Sequence, residues 1–356
     1  MSNFEPKYTL FDGVEEMLSR ETLSSLLKRR ISQVTYNPFD TSNGFSRNEL
    51  YKLEVDEQKF VMKRLRPAVD WLAIISNDHL CRSIRVWQYG LLDRLQPYIQ
   101  HGILAACQDG DDFAILMCDV SPGLLNGQEL TPRSIYHILD MLARMHAIFW
   151  EEENLKAVEL GLINNLASII PFSTKPEHYQ HAPHILEILQ HGWSALYELV
   201  EPDIRDALQS LMENPLPLNI FLVKLPATFV HKDFRQDNLA FFPETMELIA
   251  FDWQMAGYAP LTMDLCWFMG SLAEQLDQHE AYYQYYQRRL STYLGDRFDP
   301  NLWRSMLEVG CLVEVILKGS WHAFFAVTSE DESFRAIMRR SVNSYNDIVR
   351  KGLVWL

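Results

Sequence analysis

The chain has 356 residues, and 48% of them are hydrophobic, a proportion typical of a folded globular protein. Its 32 Lys and Arg against 47 Asp and Glu give a formal net charge of −15, which argues against the basic surface that nucleic-acid-binding proteins need. The five cysteines show no CxxC spacing, so we expect buried thiols in a reducing compartment rather than disulfides or a zinc site. The first residues lack the basic and apolar regions of a secretory signal, and we therefore expect a cytoplasmic protein.

The first part of the chain alternates helical and strand-like segments. Apolar spacing predicts a helix at residues 14–30, and another is expected around residues 78–95. Short runs rich in β-branched and aromatic residues predict two pairs of strands, each joined by a polar turn. The strands of the first pair are residues 47–55 and 59–65, and those of the second are residues 101–108 and 112–120.

After residue 118 the pattern becomes mostly helical. Thr131 is a good N-cap and Pro132 a good first helical residue, so we expect a helix to begin there. Helical periodicity also covers residues 184–212 and 271–325. Residues 226–253 are the exception, because they contain two strand-like runs and a turn.

The change of pattern predicts an α+β protein of two lobes. Residues 1–118 would form a small mixed lobe, residues 119–124 a hinge, and residues 125–356 a larger helical lobe. The apolar segment 306–327 contains three charged residues, so we expect a core helix there rather than a membrane span. A ligand would bind in the cleft between two such lobes.

The segment HKDFRQDN, residues 231–238, leads into a predicted hairpin that ends in FDWQ. If the turn of this hairpin centres on Thr245, antiparallel pairing places Asn238 directly opposite Asp252. An amide oxygen and a carboxylate at that separation can share one Mg²⁺, which prefers oxygen ligands and retains phosphate oxygens in its shell. The alternative interpretation of the segment is a polar turn with a structural Asn.

Other polar residues of this region have distinct expected tasks. Asp233, on the loop before the hairpin, could accept a proton from an attacking hydroxyl. His231 is expected to bridge backbone groups of the loop rather than to act as a base. His146, in the helical segment LARMHAIFW, is expected to face the core and to pack against the loop.

Three motifs resemble the aminoglycoside phosphotransferase and choline kinase group, which includes the ecdysteroid-kinase-like proteins. They are HKDFRQDN followed by FDWQ, the segment GYAPLTMDLCWF, and the helix LARMHAIFW. The common form of the first motif in that group is HGDxxxxN followed by a hairpin and D-[FW]-[EQ]. The resemblance covers roughly residues 30–330. It implies the two-lobed protein-kinase-like fold and an ATP- and Mg²⁺-dependent kinase that phosphorylates a small-molecule hydroxyl.

The resemblance implies a task for each polar residue of the loop and hairpin. Asp233 would be the catalytic base or would orient the hydroxyl, and Asn238 and Asp252 would ligate Mg²⁺ between the ATP phosphates. Asp264 would brace the catalytic loop without reacting. Arg235 could offer its guanidinium to the transferring phosphoryl group or form a surface salt bridge, and both interpretations stay open.

The resemblance also implies a nucleotide site in the small lobe. Lys63, in the strand FVMKRL, would hold the α- and β-phosphates, and Lys52 on the neighbouring strand is the alternative. The residues implied for the adenine pocket at the hinge are Met117, Cys118 and Asp119, and those for the loop over the phosphates are Ser42, Asn43 and Gly44.

Two positions depart from the pattern of the group. Lys232 replaces the Gly of HGD, so that a positive charge either lies beside Asp233 or points to solvent. Arg85 stands where the group has a glutamate that pairs with the strand lysine, so Asp78 or an acid from elsewhere would have to orient Lys63. The alternative function is therefore a pseudokinase-like protein that binds a nucleotide or metabolite without phosphotransfer.

The sequence indicates a class of partner but does not name the substrate. We expect a small molecule with a hydroxyl group, and neither a nucleic acid nor a membrane as a partner. A protein kinase is disfavoured because no activation segment with an APE-like end follows DWQ. The oligomeric state does not follow from the sequence.

Overall fold

The computed structural model describes residues 5–39, 48–163, 179–180, 182–272 and 279–356, and it divides into two compact units. The first unit is formed by Met1–Gln128, Lys156–Gly161 and Asp237–Met255. The second is formed by Glu129–Leu155, Leu162–Gln236 and Ala256–Leu356. The lobe boundaries expected from the sequence stay a prediction.

A six-stranded sheet forms the centre of the first unit, with the strand order β1-β5-β6-β4-β3-β2. Neighbouring strands are antiparallel except for β1 and β5, which are parallel. The two predicted strand pairs are confirmed as the hairpins β3–β4 and β5–β6. The strands are β1 (Phe11–Asp12), β2 (Val34–Phe39), β3 (Glu49–Val55), β4 (Gln58–Leu65), β5 (Ile103–Asp109) and β6 (Asp112–Cys118).

The hydrophobic core of this unit joins the sheet to two short helices, α1 (Val14–Met17) and α2 (Arg20–Leu27). The predicted helix over residues 14–30 is thus divided in two, because the Ser19 side chain accepts a hydrogen bond from the Thr22 amide and caps the second helix. Two further helices, α3 (Trp71–Ile75) and α4 (Arg82–Gln88), follow β4. The core residues are at most 2% exposed at Met17, Leu23, Leu53, Phe60 and Leu116.

The second unit is built mostly from helices, as the sequence predicts. Thr131 caps the first of them through a 3.2 Å hydrogen bond from the Ser134 amide, and Pro132 is its first residue, which confirms the predicted start. The antiparallel strands β7 (Thr228–Val230) and β10 (Gly257–Ala259) also belong to this unit. The helices are α5 (Pro132–Ile148), α6 (Pro183–Leu199), α7 (Pro202–Glu213), α8 (Leu216–Leu222), α9 (Thr262–Ser271), α10 (His279–Leu294), α11 (Trp303–Thr328) and α12 (Glu332–Leu353).

Among the described residues, α11 is the one helix with the length and apolarity of a membrane span. Of its most apolar window, 61% is buried inside the protein, where it packs against α6, α9 and α12. Burial by neighbouring helices is the environment of a core helix, which agrees with the prediction for residues 306–327.

Several elements were missed by the sequence analysis. The strand β2 lies at the edge of the sheet, has four exposed residues in succession and contains Pro38, so it lacks the alternation that marks a half-buried strand. The strands β1 and β10 have only two and three residues. The helix α12 is amphipathic and begins with Asp331, whose carboxylate accepts the amides of Ser333 and Phe334.

The crossing of α6 and α11 gives a test of the second unit. A Cβ atom at Gly192 would lie 2.0 Å from the carbonyl oxygen of Ser320, so the two helix backbones could not keep their separation. We expect Gly192→Ala to lower the free energy of unfolding by about 3 kcal/mol, measured by urea denaturation. Ser194→Ala on the exposed side of the same helix should change it by less than about 0.5 kcal/mol. An equal effect of the two variants would contradict the close crossing.

Candidate active site

The hairpin after the loop places its residues one position out of the predicted register. The strands β8 (Leu239–Phe242) and β9 (Glu247–Ala250) pair Leu239 with Ala250. The carbonyl of Asn238 then accepts the Phe251 amide at 3.1 Å, so the predicted direct pairing of Asn238 with Asp252 is wrong. The turn contains four residues between the paired ends, and Met246 adopts a left-handed φ of 59° to close it. A turn centred on one residue, Thr245, would contain an odd number of residues. The observed turn of four residues therefore shifts the pairing by one position.

Both candidate metal ligands nevertheless lie at the open end of this hairpin. Asn238 directly precedes β8 and is buried, with 6% of its surface exposed. Asp252 is the second residue after β9, and its φ of 62° is a left-handed conformation that Asp adopts more readily than most residues. An amide and a carboxylate thus flank the entrance of the hairpin, each offering an oxygen.

Lys63 forms an ion pair with this carboxylate. Its Nζ lies 2.8 Å from Asp252 Oδ1, and its side chain is only 14% exposed. Lys63 belongs to β4, where it pairs with Leu50 and Ile115 in the middle of the sheet. The alternative, Lys52, is exposed and lies 5.0 Å from the Phe39 ring centroid. The contact with the candidate metal ligand therefore belongs to Lys63 and not to Lys52.

Arg85, which stands at the position expected for a helix glutamate, contacts residues close to it in sequence. It donates a 3.2 Å hydrogen bond to Gln88 and lies over the Tyr89 ring. Asp78 accepts the amide of Arg82 at 2.8 Å and 2.9 Å, one oxygen each. Burial raises the pKa of Asp78, and the nearby Arg82 opposes that shift. The acid that holds Lys63 is therefore Asp252 and not Asp78.

Arg82 is a structural residue that the sequence analysis missed. It is 2% exposed, and its guanidinium donates to the carbonyls of Gly161 and Gln254. The side chain of Gln254 in turn donates to Asp70 Oδ2 at 2.8 Å. The segment after Asp252 is thus held both by its backbone and by its side chain. The i, i+4 spacing of Asp78 and Arg82 was the available signal in the sequence.

In the second unit, Asp264 anchors the first residues of the segment HKDFRQDN. Its carboxylate is fully buried and accepts the amides of His231 at 2.8 Å and Lys232 at 2.6 Å. The Nε2 atom of His146 lies 3.2 Å from the same carboxylate, and its Nδ1 atom lies 2.5 Å from the Tyr286 hydroxyl. His146 is fully buried, as the sequence predicts. Two successive amides of the loop are therefore fixed by one carboxylate from α9.

Asp233 lies next to these fixed residues. Its amide donates to His231 Nδ1 at 3.3 Å, so the His231 ring contacts one backbone group of the loop. Its Oδ1 atom accepts a 2.8 Å hydrogen bond from Trp267 Nε1 and lies 3.0 Å from Arg235 Nε. The Asp233 side chain is 23% exposed and that of Arg235 is 38% exposed. A carboxylate held in this way remains accessible to an acceptor hydroxyl.

Lys232 does not point to solvent, which was one of its two expected orientations. It is 4% exposed and has a φ of 62°, the left-handed region that Gly adopts without strain. The stem of its side chain covers Gly257, where a Cβ atom would lie 2.6 Å from Lys232 Cδ. The backbone at this position thus has a conformation that favours Gly although the residue is Lys.

The expected hinge continues from β6. Met117 and Cys118 pair with Val61 and Phe60 in the sheet, and the Cys118 amide donates to the Gly102 carbonyl at 2.8 Å. Asp119 is the first residue beyond the strand, and its carboxylate accepts the Ser121 amide at 3.0 Å. The expected phosphate-covering residues Ser42, Asn43 and Gly44 lie outside the described residues.

The residues at the open end of the hairpin fit a magnesium ion that is shared with a nucleotide. Among the described residues, no group of three or more His, Cys, Asp or Glu side chains could hold a metal by itself. Mg²⁺ is usually bound through one or two carboxylates and completes its shell with water and substrate phosphates. Asn238 and Asp252 supply oxygen ligands of this kind, and Lys63 supplies a cation beside them.

Sequence comparison decides the family. The model of the phosphotransferase enzyme family matches residues 43–300, which is more than two thirds of the chain. The chain belongs to the phosphotransferase enzyme family. The predictions of a phosphotransferase that acts on a hydroxyl group and of its resemblance to this group are thereby confirmed. Among curated protein sequences, none is significantly similar to this chain.

Solved structures of small-molecule kinases share the fold of this phosphotransferase. The ethanolamine kinase of Plasmodium vivax has a TM-score of 0.53 at 13% identity, over 94% of this chain and 88% of that one. The amicoumacin kinase hAmiN has a TM-score of 0.50 at 15% identity, over 88% of each chain. A protein of Ralstonia eutropha JMP134, solved as a candidate aminoglycoside phosphotransferase, has a TM-score of 0.50 at 17% identity, over 95% and 98%. The predicted two-lobed kinase-like fold class is confirmed.

The anchoring of the loop by Asp264 can be tested by removing one of its acceptor oxygens. In Asp264→Asn an NH₂ group would face one of the two loop amides, and a buried donor without an acceptor costs about 1–3 kcal/mol. We expect a loss of unfolding free energy in that range and faster hydrogen exchange at the amides of residues 231 and 232. Asp331→Asn is the matched control, because this exposed carboxylate also accepts two amides and Asn is an equally good N-cap. Unchanged exchange in Asp264→Asn would contradict the anchoring role.

Proposed function

We propose that this phosphotransferase moves the γ-phosphate of ATP to a hydroxyl group of a small molecule and requires Mg²⁺. The observation that supports this most strongly is the 2.8 Å ion pair between Lys63 and Asp252. It joins a cation suited to phosphate oxygens with a carboxylate suited to Mg²⁺, at the hairpin end that also carries Asn238.

Asn238 and Asp252 would hold Mg²⁺, which neutralises charge on the phosphate oxygens. Lys63 would bind the oxygens of the α- and β-phosphates. Arg82 and Asp70 fix the segment that follows Asp252, so the chain supplies the alignment of this pair without a helix glutamate.

The transfer itself would depend on the loop of the second unit. Asp233 would orient the acceptor hydroxyl and take its proton as the hydroxyl oxygen bonds to the γ-phosphorus. The bond from this phosphorus to the bridging oxygen breaks, and ADP leaves with the electron pair. Arg235 would place its guanidinium near the transferring group. His231 and Asp264 would hold the loop without taking part in the chemistry.

The remaining candidate residues would bind the nucleotide. Met117, Cys118 and Asp119 would line the adenine pocket, and Ser42, Asn43 and Gly44 would cover the phosphates. We propose a cytoplasmic enzyme whose acceptor is an alcohol such as an amino alcohol or an aminoglycoside, with no nucleic acid or membrane as a partner. The ethanolamine and amicoumacin kinases of similar fold support small alcohols as the first compounds to screen.

Nucleotide binding is tested by thermal unfolding with ATP, with and without Mg²⁺. A ligand at one hundred times its Kd adds about 2.7 kcal/mol of stability, so we expect the melting temperature to rise by several degrees when both are present. Lys63→Met should lose most of this shift, whereas Lys52→Met, the control on the neighbouring strand, should retain it. A shift that is independent of Mg²⁺ would favour the pseudokinase-like alternative.

Phosphotransfer is tested with purified enzyme, Mg²⁺·ATP and a panel of choline, ethanolamine, spectinomycin, streptomycin and sterol alcohols. Asp233→Asn should lower kcat by about 10²–10⁴-fold with nearly unchanged ATP binding, because the proton acceptor is lost. Asp206→Asn, at an exposed aspartate of the same unit, should leave kcat unchanged. Full activity of Asp233→Asn would show that another residue is the base.

A further inference from the structure

A tryptophan of α9 contacts the carboxylate that the proposed function makes catalytic. The Nε1 atom of Trp267 donates a 2.8 Å hydrogen bond to Asp233 Oδ1. Trp267 lies three residues after Asp264 on the same helix, so the residue that fixes the loop backbone and the residue that contacts the Asp233 side chain are on one rigid element. An indole N–H can only donate, so its direction also defines where the carboxylate oxygen must lie.

The Trp267 ring is itself held in place by α11. The Lys318 ammonium lies 4.0 Å from the centroid of the ring, at the distance of a strong cation–π contact. The same ammonium donates to the backbone carbonyl of Trp267 at 3.3 Å and to Glu314 Oε1 at 3.1 Å. The ring of Trp267 and its main chain therefore share one cation, which restricts the rotation of the indole.

The absence of a side chain at Gly270 leaves space for the Glu314 carboxylate, which pairs with Lys318. A Cβ atom at Gly270 would lie 1.8 Å from Glu314 Oε1, so the carboxylate occupies the space that any other residue would fill. The side chains of Glu314 and Lys318 are 16% and 13% exposed, which places their ion pair in a partly desolvated environment where it is stronger than on the surface. The contacts run from Glu314 through Lys318 and Trp267 to Asp233.

We infer that Trp267 is a positioning residue for phosphotransfer, and this rests on the catalytic role proposed for Asp233. One carboxylate oxygen is fixed by the indole N–H and by the Arg235 guanidinium, so the plane of the carboxylate is set before the acceptor binds. A base must hold its oxygen within hydrogen-bond reach of the hydroxyl proton, and a small misplacement lowers the rate steeply. Lys318 and Glu314 contribute by keeping the indole in this orientation.

The kinetic test uses Trp267→Phe, which removes the N–H donor and keeps an aromatic ring for Lys318. The reaction is followed as Mg²⁺-dependent ADP formation, with the most active alcohol of the panel or with water as the acceptor. We expect kcat to fall roughly 10- to 100-fold with an unchanged KM for ATP. Trp193→Phe, at a buried tryptophan of α6 that packs against Tyr197, removes the same atoms and should leave kcat unchanged.

A double-mutant cycle shows whether Trp267 acts through Asp233. In the Asp233→Asn background, Trp267→Phe should lower the residual kcat by less than about twofold, because the carboxylate that it positions is gone. Equal losses in both backgrounds would overturn the inference and leave the proposed function intact. A fully active Asp233→Asn would instead overturn the proposed function.

A spectroscopic test is independent of turnover. The chain has 9 tryptophans, so a ¹⁵N-correlated NMR spectrum contains at most as many indole N–H resonances, and the one lost in Trp267→Phe is that of Trp267. We expect Asp233→Asn to move this resonance and to leave that of Trp193 in place. Lys318→Met should move it as well and should lower kcat, whereas Lys318→Arg should restore part of the rate. An unmoved resonance in Asp233→Asn would overturn the contact.

Discussion

The buried carboxylate of Asp264 is the constraint on which the loop of the second unit depends. A carboxylate removed from water is tolerated only when its oxygens receive hydrogen bonds, and Asp264 receives them from two successive amides and approaches the ring of His146. The amides of His231 and Lys232 depend on Asp264 in turn, because they would lack these acceptors without its carboxylate. The conformation of residues 231–233 is therefore set by the packing of α5 and α9 rather than by the loop alone.

In the first unit the corresponding constraint is the ion pair between Lys63 and Asp252, the candidate metal ligand. Lys63 and Asp252 balance each other directly, and the segment after Asp252 is fixed by the buried guanidinium of Arg82 and by Asp70. Removing either charge of a buried or half-buried pair leaves the other uncompensated. The alignment of Lys63 thus comes from the hairpin. The contribution of α4 is the Arg82 guanidinium, which donates to the Gln254 carbonyl.

Features encoded by short-range patterns could be predicted from the sequence, and features that depend on distant contacts could not. Hairpins and the Thr131 cap depend on neighbouring residues, which is why their types were correct. The predicted register of the hairpin β8–β9 was wrong by one residue because Met246 closes the turn with a left-handed backbone that its residue type does not suggest. The contact of Arg82 with Gln254 spans 172 residues and that of Trp267 with Asp233 spans 34, and no local pattern indicates either contact.

The conformation of Lys232 limits the substitutions that positions 232 and 257 accept. A left-handed backbone under a long side chain is strained by about 1 kcal/mol, and Gly would relieve it. The stem of Lys232, however, packs where Gly257 lacks a side chain, so replacement of Lys232 by Gly would empty that space. A Cβ atom at Gly257 would lie 2.6 Å from Lys232 Cδ and also 2.7 Å from the carbonyl oxygen of Ile163, so position 257 stays restricted to glycine whichever residue occupies position 232.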